Sequence, residues 1–134
     1  MTAIELVPAN RDLIHARLAD GSVVVACLCA AWCDVCTTFR EGFDRLAADH
    51  ADKLFLWIDI EDEAEVVGDF DVDNFPTLLI ERHGQIAFFG SVEADPATLK
   101  RLIDAQVRAL PASGVRTPST GANLLNALAS VIGN

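Results

Sequence analysis

Basic residues are scarce in this chain. Ten Lys and Arg stand against twenty Asp and Glu, a formal charge of −10 over 134 residues. Nucleic-acid binding needs clustered Lys and Arg to displace counterions from phosphate. An anionic lipid surface repels a chain of this sign. Both are therefore excluded as main partners, and neutral or basic ones fit better. Long apolar runs are missing too. The longest, residues 23–33, falls well short of the ~18 residues of a membrane span. The first residues carry Glu5, Arg11 and Asp12, with no basic patch ahead of an apolar core. The sequence thus reads as one without a secretory leader and with a cytoplasmic address. Glycine (8) and proline (5) are too sparse for a fibrous or low-complexity protein.

What is present is the balance of a folded domain. Hydrophobic residues make up 51% and charged residues 22%, which excludes a disordered chain. The length suits one domain with a core that needs no staples.

Residues 3–7 read as a short strand and residues 10–20 as a helix, with Leu13, Ile14 and Leu18 on one side and Asp20-Gly21 as its stop. Residues 22–29 (SVVVACLC) form an unbroken apolar run, the pattern of a strand buried on both faces. Phe39, Phe43, Leu46 and Ala47 recur at helical spacing and predict a long helix over 33–50. Residues 54–60 are the next buried strand, and 61–70 a short acidic helix or turn. Strands at 77–80 and 86–89 flank Arg82-His83-Gly84, short enough for a hairpin. Asp95 caps a helix that Pro96 opens, with Leu99, Leu102, Ile103 and Val107 as its apolar face. The order predicts an α/β fold: a central mixed sheet flanked by helices.

Beyond residue 110 the composition changes. PASGVRTPSTG is linker-like, and residues 123–132 place Leu124, Leu125, Leu128, Val131 and Ile132 on one helical face. The chain divides on this reading into a domain over 1–110 and a linker with an apolar C-terminal helix over 111–134. That helix packs back on its own domain, pairs two copies, or docks another protein through residues 119–132. Its polar face carries no Lys or Arg, which argues against a membrane surface.

The strongest chemical signal is Trp32-Cys33-Asp34-Val35-Cys36, where a buried strand hands over to a helix. C-x-x-C spacing alone serves zinc, iron–sulfur clusters and redox pairs, and the placement is what narrows it. At a helix N-terminus the first cysteine meets unpaired N–H groups and the positive end of the dipole, and both favour a thiolate. The second lies about one turn on and is expected to be less exposed. Cys33 is then the nucleophile and Cys36 the resolving thiol. Zinc is the rival, since Cys27, Cys29, Cys33 and Cys36 fall within ten residues. Cys27 and Cys29 are two apart on a strand, however, and both face one side, where a buried cysteine is usually a small hydrophobe. No metal is expected.

At these residues the chain resembles the thioredoxin family. W-C-x-x-C after a buried strand matches the family's active-site motif, and Phe75-Pro76-Thr77 matches its X-Pro-Thr element. Gly84 matches the hairpin glycine, and Gly90 the glycine bordering the substrate groove. The resemblance covers roughly residues 3 to 108 and leaves out the tail. It implies a thiol–disulfide oxidoreductase acting on protein disulfides, with a reductase as electron donor and no cofactor. It implies that Pro76 is cis and faces the cysteines, and that the Phe75 backbone pairs with substrate as an added strand. Trp32, Asp34, Val35 and Gly90 complete the substrate-binding set.

Three departures bear on the chemistry. Asp34-Val35 replaces the family's usual Gly-Pro, and a carboxylate beside Cys33 opposes the dipole. The family's buried aspartate, six residues before the first cysteine, is Cys27 here, and its accompanying lysine is Trp57. Cys29 stands where an aromatic residue is common. These departures keep a second reading open, a thioredoxin-like binding or assembly module with little redox turnover. His15, His50 and His83 read as solvated, and so does the charge run Asp59, Glu61, Asp62, Glu63 and Glu65.

Overall fold

The computed structural model of the chain describes residues 3–109 and 123–132. Strands β1 (Ile4–Glu5), β2 (Val24–Cys29), β3 (Leu54–Asp59), β4 (Thr77–Arg82) and β5 (Gln85–Ser91) form one sheet in the order β1-β3-β2-β4-β5. β1, β3 and β2 run parallel, and β4 and β5 are antiparallel to the strands beside them. Helices α1 (Arg11–Ala19), α2 (Asp34–Asp49), α3 (Ala64–Val67), α4 (Pro96–Ala109) and α5 (Leu124–Ile132) cover both faces. The acidic segment 61–70 yields only the single turn α3.

Every residue of β2 is buried, as its unbroken apolar run predicts. Alternation along the strand divides the core in two. Val25, Cys27 and Cys29 pack with Phe39, Phe43 and Leu46 of α2 and with Leu99 and Ile103 of α4. Val24, Ala26 and Leu28 pack with Ile14 and Leu18 of α1, with Val66 and Val67 of α3, and with Leu124 and Leu128 of α5. The fully buried Phe43 ring, 5.3 Å from Phe55 and 5.7 Å from Trp57, ties α2 to β3. Two glycines are dictated by the backbone. Gly84 closes the β4–β5 hairpin at φ 76°. Gly21 lies at φ 95° with the His83 ring where a side chain would stand.

Of the three positions open to the C-terminal helix, the structure shows α5 against α1 and α3 of its own chain. Leu124 and Leu128 are fully buried there. The linker-like stretch 111–122 lies outside the described residues. The N-terminus of α5 is held by Glu81, whose buried carboxylate accepts the Leu124 N–H at 2.6 Å and the Leu125 N–H at 3.0 Å. Burial pushes the Glu81 carboxyl above its ordinary value of 4.5, against the weaker pull of these two donors. The folded chain then keeps a proton that the unfolded chain has released. That stability is fully present below the ordinary glutamate value and is lost as pH rises through the raised one. In urea titrations from acid to neutral pH, Glu81→Gln is expected to lose less stability than the wild type. Equal slopes would contradict it.

Two readings of charged and ionisable residues are corrected by packing. His50 is not solvated. It is buried at the end of α2, with Nδ1 2.8 Å from the Leu46 carbonyl and Nε2 2.9 Å from Asp104 of α4. The His50 contact, and then Lys100, hold the Asp104 carboxyl below its usual range. Nor is the acidic run one solvated face. Glu63 is buried against Arg11, and Asp59 is bonded to backbone near the cysteines.

Candidate active site

Cys33 is the N-cap residue of α2, with extended backbone at φ −87° and ψ 113°. Its N–H donates to the Ala30 carbonyl at 3.0 Å, and its own carbonyl accepts the Thr37 N–H at 3.1 Å as the first turn of the helix. This arrangement follows from β2 ending at Cys29 and the chain turning over Ala30 to Trp32 into α2. Cys33 is half-buried, whereas Cys36 is 1% exposed. Burial, and then the nearby Cys29 thiol, push the Cys36 thiol up. The two cysteines thus differ as the motif predicts, one reachable and one sheltered.

The loop before Cys33 has an anchor that periodicity does not reveal. Asp59, paired with Cys29 across the β2–β3 register, accepts the Ala31 N–H at 3.1 Å through Oδ2. Its Oδ1 accepts the Glu61 N–H at 2.8 Å and the Asp62 N–H at 3.1 Å. An aspartate at a strand end, bonding the amide two residues on, is a turn signal that the sequence contained. Its grip on the cysteine loop depends on a partner 28 residues away.

Pro76 follows a cis peptide bond after Phe75. The antiparallel register that pairs Leu28 with Thr77 brings this bond to the end of β2 from which the Cys33 loop springs. The Pro76 carbonyl accepts the Val92 N–H at 3.0 Å, and Thr77 Oγ1 donates to the Asn74 carbonyl at 2.6 Å. The Trp32 indole, 65% exposed, meets the Phe75 ring edge to face with centroids 5.4 Å apart. Cys33 and Phe75 pack against the same core cluster. The other expected substrate-binding residues lie apart. Asp34 and Val35 line a cavity of about 580 Å³ that runs along α2 to Ala94 and Pro96. Gly90, opposite Leu78 on β5, borders a separate hollow with Asp71, Asp73 and Thr77.

Cys27 pairs with Trp57 across β2 and β3, so a thiol and an indole occupy this point of the core. The Arg40 guanidinium lies 4.9 Å over the Trp57 ring. Cys27 Sγ is 3.5 Å from Cys29 Sγ. The Cys27 hydrogen bond and then burial push the Cys29 thiol up. Among the described residues no group of three or more His, Cys, Asp or Glu side chains is placed to hold a metal ion. No helix among them is long and apolar enough to cross a membrane.

A mixed five-stranded sheet carrying a partly exposed thiol at a helix N-terminus, with a second thiol sheltered behind it, defines an α/β protein with a dithiol site. Residues 6–105 match the thioredoxin family model, and the chain belongs to that family. It is 30% identical over 82 residues to thioredoxin from Bacillus subtilis (strain 168), covering 60% of this chain and 78% of that one. It is 29% identical over 99 residues to thioredoxin-like protein CXXS1 from Oryza sativa subsp. japonica, covering 74% and 71%. The fold matches a poplar thioredoxin h mutant at TM-score 0.71 and 23% identity, over 84% of this chain and 88% of that one. Family membership supports thiol–disulfide oxidoreductase activity in general.

Proposed function

We propose that the chain exchanges a Cys33–Cys36 dithiol for the disulfides of other proteins. The observation that carries this is the asymmetry of the pair, with Cys33 reachable at the N-cap of α2 and Cys36 buried one turn on. Cys33 as thiolate attacks one sulfur of a substrate disulfide, and the other substrate sulfur leaves as a thiol. Cys36 then attacks Cys33 in the mixed disulfide, freeing the second substrate thiol and leaving Cys33–Cys36 oxidised. Cys33 stands at the N-cap of α2, where the positive end of the helix dipole favours the charge that develops on sulfur. An extended substrate pairs with the Phe75 backbone beside Pro76 and lies against Trp32, while Asp34, Val35 and Gly90 border the approaches. A reductase returns the electrons. The chain works in the cytoplasm, where such a pair is kept reduced.

The neutral Cys27–Trp57 pairing supports a second reading. With Cys27 in place of the family's buried aspartate, proton transfer at the resolving step is slow, and the groove then serves chiefly to hold a partner. Insulin reduction with dithiothreitol as electron source decides between the two. The wild type is expected to accelerate precipitation of the insulin B chain well beyond dithiothreitol alone. A rate equal to dithiothreitol alone, from a folded chain with free thiols, would leave the binding module in place of the enzyme.

A further inference from the structure

The loop that carries Cys33 is held from the neighbouring strand. β3 ends at Asp59, across the register from Cys29, the last residue of β2. Two hydrogen bonds join the chain at these strand ends. The Ile60 N–H donates to the Cys29 carbonyl at 2.9 Å, and the Ala31 N–H donates to Asp59 Oδ2 at 3.1 Å. Asp59 Oδ1 is engaged on its own side, accepting the Glu61 N–H at 2.8 Å and the Asp62 N–H at 3.1 Å. One side chain therefore closes the turn after β3 with one oxygen and grips the loop after β2 with the other. That turn is itself fixed. The Asp59 carbonyl accepts the Glu63 N–H at 2.9 Å, and the Glu63 side chain is bonded to Arg11. On the loop, by contrast, Ala31 and Trp32 are exposed. The bond from the Cys33 N–H to the Ala30 carbonyl is internal to the loop and moves with it.

Building on the dithiol reading, we propose that Asp59 is a positioning residue for that exchange: its carboxylate fixes the backbone of residues 30–32 so that Cys33 stands at the N-cap of α2, where the helix dipole favours a thiolate. Asp59 acts through the Ala31 amide, two residues before the nucleophile, and not on sulfur itself. The same grip orients Trp32, whose indole meets the Phe75 ring at 5.4 Å, and so aligns the rim past which a substrate enters. Charge alone would act in the opposite direction. A carboxylate near a thiol disfavours the thiolate, so a purely electrostatic Asp59 would hold the Cys33 midpoint up, and its removal would lower that midpoint. A loop-holding Asp59 holds the midpoint down, and its removal raises it, because the sulfur loses its place at the helix end. A residue that served only the turn after β3 would change stability and leave the Cys33 midpoint alone.

The test compares the full chain as wild type, Asp59→Ala and Leu18→Ala. Leu18 is buried on the face of the sheet opposite Cys29, so its truncation loosens the fold without touching the loop. The rate of Cys33 alkylation by iodoacetamide is followed from acid to alkaline pH, with the modified residue mapped by mass spectrometry, and gives the thiol midpoint. For Asp59→Ala the midpoint is expected to rise by about half a pH unit or more. Insulin reduction by the same variant is expected to fall roughly ten- to a hundred-fold, the cost of a misplaced reacting group. Leu18→Ala is expected to keep the wild-type midpoint. An unchanged or lowered midpoint in Asp59→Ala, folded by circular dichroism, would overturn the proposal, and so would an equal rise in Leu18→Ala. Asp59→Ser serves should the alanine variant not fold. Its hydroxyl still accepts the amide two residues on but is too short to take over both grips of the carboxylate, so the same rise is expected and its absence counts the same way. Failure of the dithiol reading appears instead as absent insulin reduction by the wild type, whereas the alkylation midpoint is read without any substrate disulfide, so the two failures are distinguishable.

Discussion

Replacing Cys33 by serine is expected to lower protein-disulfide reduction by at least about a thousand-fold, because a hydroxyl neither ionises near neutral pH nor attacks a disulfide as a thiolate does. Cys33 is half-buried at a helix cap, so its replacement leaves the fold intact. Cys36→Ser is expected to behave differently. The first exchange proceeds, but no resolving thiol follows, and the substrate remains bound through Cys33 as a mixed disulfide. Non-reducing electrophoresis of each variant after mixing with a protein disulfide measures both effects. A covalent adduct should accumulate with Cys36→Ser and be absent with Cys33→Ser. Adduct formation by Cys33→Ser, or wild-type rates of insulin reduction in either variant, would reverse the assigned roles. Circular dichroism of each variant separates chemistry from stability, since loss of fold would expose the buried thiols to adduct formation.

The parts of this molecule that a sequence shows are those written locally. The apolar run of β2, the spacing of Phe39, Phe43 and Leu46, and Asp95-Pro96 at the start of α4 each carry their own signal over a few residues, and each lies where that signal puts it. The cysteine pair is legible for the same reason, since strand, cap and first turn are contiguous. What escaped is fixed by partners far along the chain. Asp59 reaches back 28 residues to Ala31, Glu63 reaches 52 to Arg11, and His50 reaches 54 to Asp104. Within a window of ten residues a buried Glu63 cannot be told from the exposed Glu61 and Asp62 beside it. The destination of α5 depends on Glu81, 43 residues upstream. Its apolar face announced that something would cover it, and the covering surface proved to be α1 and α3.

The largest structural effect is expected at Arg11. Its Nε and Nη2 donate to the two carboxylate oxygens of Glu63 at 3.0 and 3.1 Å, a paired geometry that fixes α1 against the turn before α3. The Glu63 side chain is 1% exposed and that of Arg11 15%, so water screens the pair only weakly. The second partner of Arg11, Glu65, is 76% exposed at 3.6 Å and adds little. Arg11→Ala leaves the Glu63 carboxylate buried without its cation. The expected loss is about 3–5 kcal/mol, the range for breaking one half of a buried ion pair. For a chain of this size that lowers Tm by roughly 10–20 °C. Replacing both partners with apolar residues of similar volume, as in Arg11→Met/Glu63→Leu, should recover most of the loss, because desolvation of the two charges offsets much of their attraction. Urea unfolding of the single and double variants measures both. A loss below about 1 kcal/mol for Arg11→Ala would place this pair with surface ion pairs. A double variant no more stable than the single would show that the geometry of the pair, and not the stranded charge, is what holds α1 in place.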